Sequence, residues 1–281
     1  MATKLLIDSA SDINLDEANA LGITLMPMII QFGEEEYLDG VNLLPQDFYE
    51  KLVSIKDLPK TSQINSYRFE EVFEQLTANG DDVVAITISS KLSGTYNSAL
   101  QASKKFEGKV FVVDSLNACI GERLLGLRAV ELINEGKSAK DVAEELDKIK
   151  SKINVLAVID TLEYLKKGGR ISATVAFAGS LLSIKPLIGV VDGEVKLIGK
   201  AMGMKRGLLT LNSMVKEKGG INLNLPFGLV WSGEKNNLEK FKIENSELWS
   251  EKSDRIEEYQ IGSTIGTHVG PGAIGIAFFE K

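Results

Sequence analysis

The stretch that decides the fold is residues 83–99, VVAITISSKLSGTYNSA. Its first six residues are mostly β-branched and carry neither proline nor charge, which predicts a buried β-strand. The following residues are rich in Ser, Gly and Thr, and from Tyr96 onward the composition is typical of a helix. This order of strand, polar loop and helix is typical of ligand sites at the carboxyl ends of parallel strands.

Two hydroxyl side chains, Ser93 and Thr95, lie at the predicted start of that helix. Free backbone N–H groups and the helix dipole at such a position favour a carboxylate or a phosphate. The simpler alternative is that Ser93 caps the helix, and the two roles are compatible. We therefore treat both residues as candidates for anion binding.

Strands alternate with amphipathic helices up to about residue 152. Residues 4–7 and 109–113 are short apolar strands, and Phe69, Val72 and Phe73 begin a helical stripe. Such alternation predicts a mostly parallel sheet with helices on both faces. Residues 57–63, between two helices, are predicted to be a loop.

The second half of the sequence changes character. Asp192-Gly193 lies between two apolar runs and is a strong signal for a hairpin turn. The sequence therefore predicts an α/β protein with two domains and a ligand in the cleft between them. We expect residues 1–152 to form a Rossmann-like α/β/α domain and residues 153–281 to form an α+β domain. The last strand of the second domain could pack against the first domain.

The composition of the 281 residues, 44% hydrophobic and 25% charged, is ordinary for a soluble globular protein. Cys119 is the only cysteine, which excludes an internal disulfide and fits a reducing compartment. The apolar core of the N-terminus, residues 5–7, is too short for a signal peptide. Residues 171–184, an uncharged run, are too few to span a bilayer. We expect a cytoplasmic protein.

The charge of the chain is unevenly distributed. The net charge of −7 argues against nucleic-acid binding. Residues 150–206 contain ten Lys/Arg and four Asp/Glu, a local +6 that leaves −13 for the rest. A solvated surface is the usual outcome, but a transient contact with an anionic membrane or an acidic partner is an alternative. The basic residues of interest are Lys166, Lys167, Arg170, Lys200, Lys205 and Arg206.

Three predicted strands end in acidic or hydroxyl residues, and we expect these ends to face a shared polar cleft. The three pairs are Asp8-Ser9, Ser89-Ser90 and Asp114-Ser115. Turn chemistry alone would explain any one of them. Asp8 and Asp12 also permit a Mg²⁺-dependent phosphotransferase, although their spacing matches no defined nucleophile and acid pair.

His268 is the only histidine, so any imidazole chemistry must use it. One alternative is an acyl hydrolase with Ser93 as nucleophile and His268 as base. Ser93, however, lies in Leu-Ser-Gly-Thr and not in the G-x-S-x-G elbow of such enzymes. His268 is equally explained as a structural residue or as a donor to a ligand carboxylate.

Five segments together resemble the DegV family, which includes the FakB-type fatty-acid-binding proteins of bacterial fatty acid kinase. They are 8–12 (DSASD), 61–63 (TSQ), 89–99 (SSKLSGTYNSA), 160–172 (DTLEYLKKGGRIS) and 268–273 (HVGPGA). The segments occur in family order and cover essentially the whole chain. The third and fourth are the most specific.

This resemblance implies a carrier, not a catalyst, that buries one long-chain fatty acid such as palmitate or oleate between its domains. Thr61 and Ser93 would hold the carboxyl group, with Arg170 and His268 in the same hydrogen-bond network. Ser62 and Thr95 complete the expected set, without a metal or another cofactor. A separate kinase subunit would phosphorylate the bound carboxylate, and the acyl phosphate would enter phospholipid synthesis.

The acyl chain needs an apolar sleeve, and residues 171–184 are a candidate for it. This run contains Val175, Phe177, Leu181 and Leu182. Its alternative role is plain core between the two domains.

Overall fold

The computed structural model describes residues 2–55, 57–172, 183–249, 252 and 256–281. Its strands are β1 (Thr3–Asp8), β2 (Ile23–Met26), β3 (Ile29–Phe32), β4 (Glu35–Leu38), β5 (Lys60–Ser62), β6 (Asp82–Thr87), β7 (Val110–Asp114), β8 (Ile153–Val158), β9 (Ile184–Val191), β10 (Glu194–Met202), β11 (Phe227–Trp231), β12 (Glu257–Gln260) and β13 (Ile274–Phe279). Its α-helices are α1 (Leu15–Leu21), α2 (Pro45–Ser54), α3 (Ser66–Thr77), α4 (Thr95–Ser103), α5 (Ile120–Asn134), α6 (Ala139–Ile149), α7 (Glu163–Lys167), α8 (Gly203–Glu217), α9 (Asn236–Glu244) and α10 (Ser263–Val269). None of these helices is both long and apolar enough to cross a membrane. The predicted sleeve residues Val175, Phe177, Leu181 and Leu182 lie outside the described residues.

The N-terminal half contains the predicted parallel sheet, with strand order β2-β1-β6-β7. Its two central strands are fully buried along most of their length because helices cover both faces. The predicted sequence of strand, polar loop and helix is β6, residues 88–94 and α4. The cap position of α4 is Gly94 and not Ser93, but the Oγ atom of Ser93 accepts the backbone N–H of Thr95, the first residue of this helix, at 3.3 Å.

The C-terminal half contains a six-stranded sheet in the order β10-β9-β8-β13-β11-β12. Its strand pairs are antiparallel except for β11 with β12, and the β9–β10 hairpin turns at Asp192-Gly193 with positive φ at both residues. The predicted α/β class with an α+β second half is therefore confirmed. β13 packs on α5, and its residues Ala277 and Phe279 belong to the same buried cluster as β1 and β6. The domain boundary at residue 152 stays a prediction.

A third, small sheet was not predicted. β3 pairs antiparallel with both β4 and β5, and Ile30 faces Thr61 across the second pair. The sequence predicts a loop at residues 57–63 because three residues are too few to display an alternating pattern. This pairing fixes the backbone of Thr61 and Ser62, which the sequence places among the site residues.

Candidate functional site

A cavity of about 230 Å³ lies where β5 and the loop after β6 meet α7 and α10. Its apolar side chains include Met28, Ile88, Leu92, Ala118, Leu165 and Ile265. Its polar side chains include Thr61, Ser62, Ser93, Arg170 and His268. The cavity therefore combines an apolar lining with a group of polar side chains, and residues from both predicted domains contribute to it.

Thr95 is the one predicted site residue that does not line the cavity. Its side chain is fully buried, and its Oγ1 lies 2.9 Å from Oγ of Ser93 and accepts the backbone N–H of Ile64 at 3.3 Å. Thr95 thus orients Ser93 and joins the loop after β6 to the segment after β5. The structure brings the other five residues to one cavity; their role in binding stays a prediction.

His268 is paired with Thr61 across the cavity wall. The Oγ1 atom of Thr61 lies 3.0 Å from Nε2 of His268, whereas Nδ1 of His268 is buried without a hydrogen-bond partner in the described structure. The Ser93 hydroxyl is paired with Thr95. A hydrolase requires a nucleophile paired with the imidazole and a third group that orients the ring. The arrangement at Ser93 and His268 has neither feature, which weakens the hydrolase alternative.

Arg170 is fixed by two backbone carbonyls. Its Nε donates to the oxygen of Leu92 at 3.3 Å, and its Nη1 donates to the oxygen of Gly168 at 2.6 Å. These bonds hold a half-buried guanidinium at the polar end of the cavity, where burial lowers its pKa from the ordinary value. A guanidinium held in this way is suited to attract an anionic head group.

Burial, and secondarily the charge of Arg170, lowers the pKa of His268 from 6.5 to about 4. The imidazole is therefore neutral at pH 7, and it can share one hydrogen bond with Thr61 without bringing a second positive charge to the site.

We expect the imidazole of His268 to stay neutral from pH 8 down to pH 5, because its folded pKa is about 4. A bound carboxylate beside the ring favours the protonated form and should raise this pKa. Two-dimensional NMR of the imidazole nitrogens measures it directly, since an untagged protein has a single histidine. The same protein in urea is the control and should titrate near 6.5. A folded, ligand-free midpoint between pH 6 and 7 would contradict the prediction.

The helix that carries His268 is capped by residues far away in the sequence. The backbone N–H of Gly262 donates to Oδ1 of Asp12 at 2.9 Å, and that of Ser263 donates to Oδ1 of Asp39 at 3.0 Å. The Thr264 hydroxyl donates to the other oxygen of Asp39 at 2.6 Å. Asp12 therefore positions α10, which gives it a structural role in place of the Mg²⁺ ligand that the sequence alone permits.

Asp8 has a similar role at the end of β1. Its two carboxylate oxygens accept the backbone N–H groups of Ala10 at 2.9 Å and Ile88 at 2.8 Å. Asp114 accepts the N–H of Ser90 at 3.1 Å. The prediction that the three strand ends face a shared polar cleft is wrong, because most of these side chains are buried and bond to neighbouring loops. Among the described residues, no group of three or more His, Cys, Asp or Glu is placed to hold a metal.

Sequence reasoning missed Thr264, which lines the cavity and contacts Asp39. The sequence does not predict the helix that carries it, and the signal nearest to Thr264 is the motif that begins at His268. Gly168 lies within the motif of residues 160–172, and the sequence indicates no role for it. Its absent side chain leaves room for the His268 ring.

The fold defines a class of α/β protein that combines a parallel sheet with a mostly antiparallel sheet, and residues from both halves of the chain line a cavity with a polar end. A family model described as an uncharacterised protein of the DegV family matches residues 2–281. The chain therefore belongs to the DegV family.

Relatives and solved structures agree with this assignment. A DegV domain-containing protein of Caldanaerobacter subterraneus is 34% identical over 99% of this chain and 98% of its own length. A structure described as fatty acid binding of a DegV family protein from Thermus thermophilus is similar with a TM-score of 0.88 and 31% identity, and the match covers all of both chains. DegV from Bacillus subtilis, described as a fatty acid binding protein, matches with a TM-score of 0.84 and 29% identity over the full length of both chains.

Proposed function

We propose that this protein binds one long-chain fatty acid, with the carboxylate at Thr61, Ser93, Arg170 and His268 and the acyl chain against the apolar lining. The observation that carries the proposal is the Thr61–His268 pair of 3.0 Å at one cavity that Ser93 and Arg170 also line. Two hydroxyls and a guanidinium can donate hydrogen bonds to a carboxylate, and the neutral imidazole holds the Thr61 hydroxyl through their shared hydrogen bond.

The acyl chain would supply the affinity and the head group the orientation. Burial of roughly 14 methylenes at about 0.8 kcal/mol each is worth about 11 kcal/mol before the cost of association. The head-group hydrogen bonds contribute less, but they determine which end of the lipid reaches solvent. The solved relatives described as fatty-acid-binding proteins support the same ligand class.

The finer proposal is that the protein is a carrier subunit that presents the bound carboxylate to a separate fatty acid kinase. A carrier needs a head group near the surface, and Arg170 is only half-buried. The basic face of α8, where Lys205 and Arg206 are exposed, would contact an anionic membrane or the kinase. The carrier predicts no turnover of acyl esters, whereas the hydrolase alternative predicts turnover that Ser93→Ala abolishes.

Mass spectrometry of the purified protein, first native and then denatured, tests the proposed ligand. We expect one long-chain fatty acid per chain. Ser93→Ala should keep its fold and bind added palmitate roughly ten- to hundredfold more weakly, because it loses one hydrogen bond to a charged group. Ser103→Ala is the matched control, since this hydroxyl near the far end of α4 donates to the local backbone oxygen of Leu100. An empty protein that takes up no added fatty acid would reject the proposal.

A further inference from the structure

The turn of the β9–β10 hairpin is partly buried, although turns and loops usually lie at the surface. Asp192 of this turn is exposed, whereas Gly193 is buried. Gly193 packs against the loop after β6, because a Cβ atom added to it would lie 2.6 Å from Oγ of Ser89 and 3.3 Å from Cδ2 of Leu116. An element of the C-terminal half therefore docks on the N-terminal loop that leads to Ser93.

Ser89 makes this contact through its side chain, which has no exposed surface. Its Oγ donates to the backbone oxygen of Gly193 at 2.8 Å and accepts the backbone N–H of Lys91 at 3.2 Å. One hydroxyl therefore bonds to a carbonyl of the hairpin and to an N–H of the loop at the same time. Loss of this hydroxyl removes the hydrogen bond that joins the two halves of the chain at this point.

The loop that begins at Ser89 also holds two polar groups of the cavity. The backbone oxygen of Ser89 accepts the N–H groups of Leu92 at 3.0 Å and Ser93 at 3.1 Å. The backbone oxygen of Leu92 in turn accepts Nε of Arg170 at 3.3 Å. The positions of the Ser93 hydroxyl and of the Arg170 guanidinium therefore depend on where Ser89 is held.

We infer that Ser89 is a positioning residue for the carboxylate site, and that the turn of the β9–β10 hairpin holds it in place. The inference rests on the proposed function and adds to it a residue that is not among the described residues lining the cavity. Ser89 acts through Ser93 and Arg170, which donate to the head group of the ligand. Loss of its hydrogen bond to Gly193 therefore weakens the binding of a charged head group more than the binding of an uncharged one. A hydroxyl that only stabilises the fold would affect both ligands equally.

Two ligands of equal chain length test this inference in the purified full-length protein. One is palmitate, and the other is hexadecanol, which has a neutral hydroxyl in place of the carboxylate. We expect Ser89→Ala to bind palmitate roughly tenfold more weakly and hexadecanol less than about threefold more weakly. Ser90→Ala is the matched control and should change neither affinity. The Ser90 hydroxyl bonds to no described residue, and its backbone N–H keeps the bond to Asp114 in the variant.

Gly193→Ala tests the same contact from the hairpin. The new Cβ would displace Oγ of Ser89, so we expect the same selective loss of palmitate binding. Gly193 has a φ of +82°, which strains any residue with a side chain. Gly219→Ala is the control for this strain, because Gly219 has a φ of +83° and a Cβ there would meet nothing within 4 Å. It should lower the temperature of unfolding and leave both affinities unchanged.

The ratio of the two affinities decides the inference. Equal losses of palmitate and hexadecanol in Ser89→Ala, no loss of palmitate, or a selective loss in Ser90→Ala would overturn the assignment of Ser89. Circular dichroism establishes whether each variant folds, and if Ser89→Ala does not fold, the ratio measured for Gly193→Ala decides. Failure of the wild-type protein to bind palmitate would instead reject the proposed function.

Discussion

Glu122→Gln is expected to stabilise the protein more at pH 8 than at pH 5. The increase in the free energy of unfolding should be larger at pH 8 by on the order of 2 kcal/mol. Glu122 lies on α5 with no exposed surface, and neither of its oxygens accepts a hydrogen bond from a described donor. Burial, and next the charge of Asp8, raises the pKa of Glu122 well above its ordinary 4.5. Burial likewise raises the pKa of Asp8 to about 7.

The neighbouring contacts place the proton on Glu122. Two backbone N–H groups, those of Ala10 and Ile88, donate to Asp8 and stabilise its charged form. Glu122 has no such donors, and two carboxylates can share a hydrogen bond only if one of them is protonated. The native state therefore keeps a proton on Glu122 at pH values where the same side chain in the unfolded chain, with its lower pKa, has already lost it.

The sign of the pH dependence follows from this difference. A carboxyl group whose pKa is higher in the folded state stabilises the fold fully below the unfolded pKa. That stabilisation is lost as the pH rises toward the folded pKa, by about 1.4 kcal/mol per pH unit. Glutamine has nearly the same shape, stays neutral at every pH and can donate to Asp8, so Glu122→Gln removes this loss.

Urea unfolding at pH 5 and at pH 8 measures the effect. Glu131→Gln is the control on the same helix, because Glu131 is only partly buried and pairs with Arg128 at 2.7 Å. We expect it to change the free energy of unfolding by less than about 1 kcal/mol at both pH values. If Glu122→Gln shifted stability equally at pH 5 and pH 8, the buried proton would lie elsewhere.

The parts of the fold that the sequence predicts are those with local signals. β6 and α4 follow from a β-branched run and a change of composition, and the hairpin at Asp192-Gly193 follows from turn chemistry. α10 lacks such signals, since it contains Gly266 and three β-branched residues before His268. Its N-terminus is held by Asp12 and Asp39, more than 200 residues earlier in the chain, and no local pattern reports such a contact.

The same limit applies to the candidate site. The resemblance to a family indicated Thr61, Ser62, Ser93, Arg170 and His268, and the fold brings these five residues to one cavity. The resemblance could not distinguish a hydroxyl that lines the cavity from a buried hydroxyl that supports a lining residue. Thr95 is of the second kind, and its burial depends on the packing of distant segments. Nor could the residue type of Asp8 distinguish a metal ligand from an acceptor of backbone N–H groups.

Gly168→Ala is expected to weaken fatty-acid binding at least tenfold, although the backbone of this residue tolerates alanine. Gly168 has an ordinary helical φ of −75°, so no conformational reason requires glycine there. A Cβ atom at this position would collide with Nδ1 of His268 and lie 3.1 Å from the backbone oxygen of Tyr164. The ring must then move, and the 3.0 Å contact between His268 and Thr61 is lost.

The neighbouring glycine separates this effect from backbone strain. Gly169 has a φ of +71°, and a Cβ there would meet nothing within 4 Å. Gly169→Ala should therefore cost about 1–2 kcal/mol of stability through its left-handed conformation and leave ligand affinity unchanged. Calorimetric titration with palmitate and thermal unfolding of both variants distinguish the two glycines.

A double-mutant cycle identifies the imidazole as the group that Gly168 accommodates. His268→Ala removes the ring and weakens palmitate binding by itself, but it also empties the space that the new Cβ needs. In that background Gly168→Ala should cost less than about twofold in affinity, so the two changes together should be far from additive. Additive losses would mean that Gly168 acts through the Tyr164 backbone and not through His268, and the positioning of the ring would then depend on the capping of α10 alone.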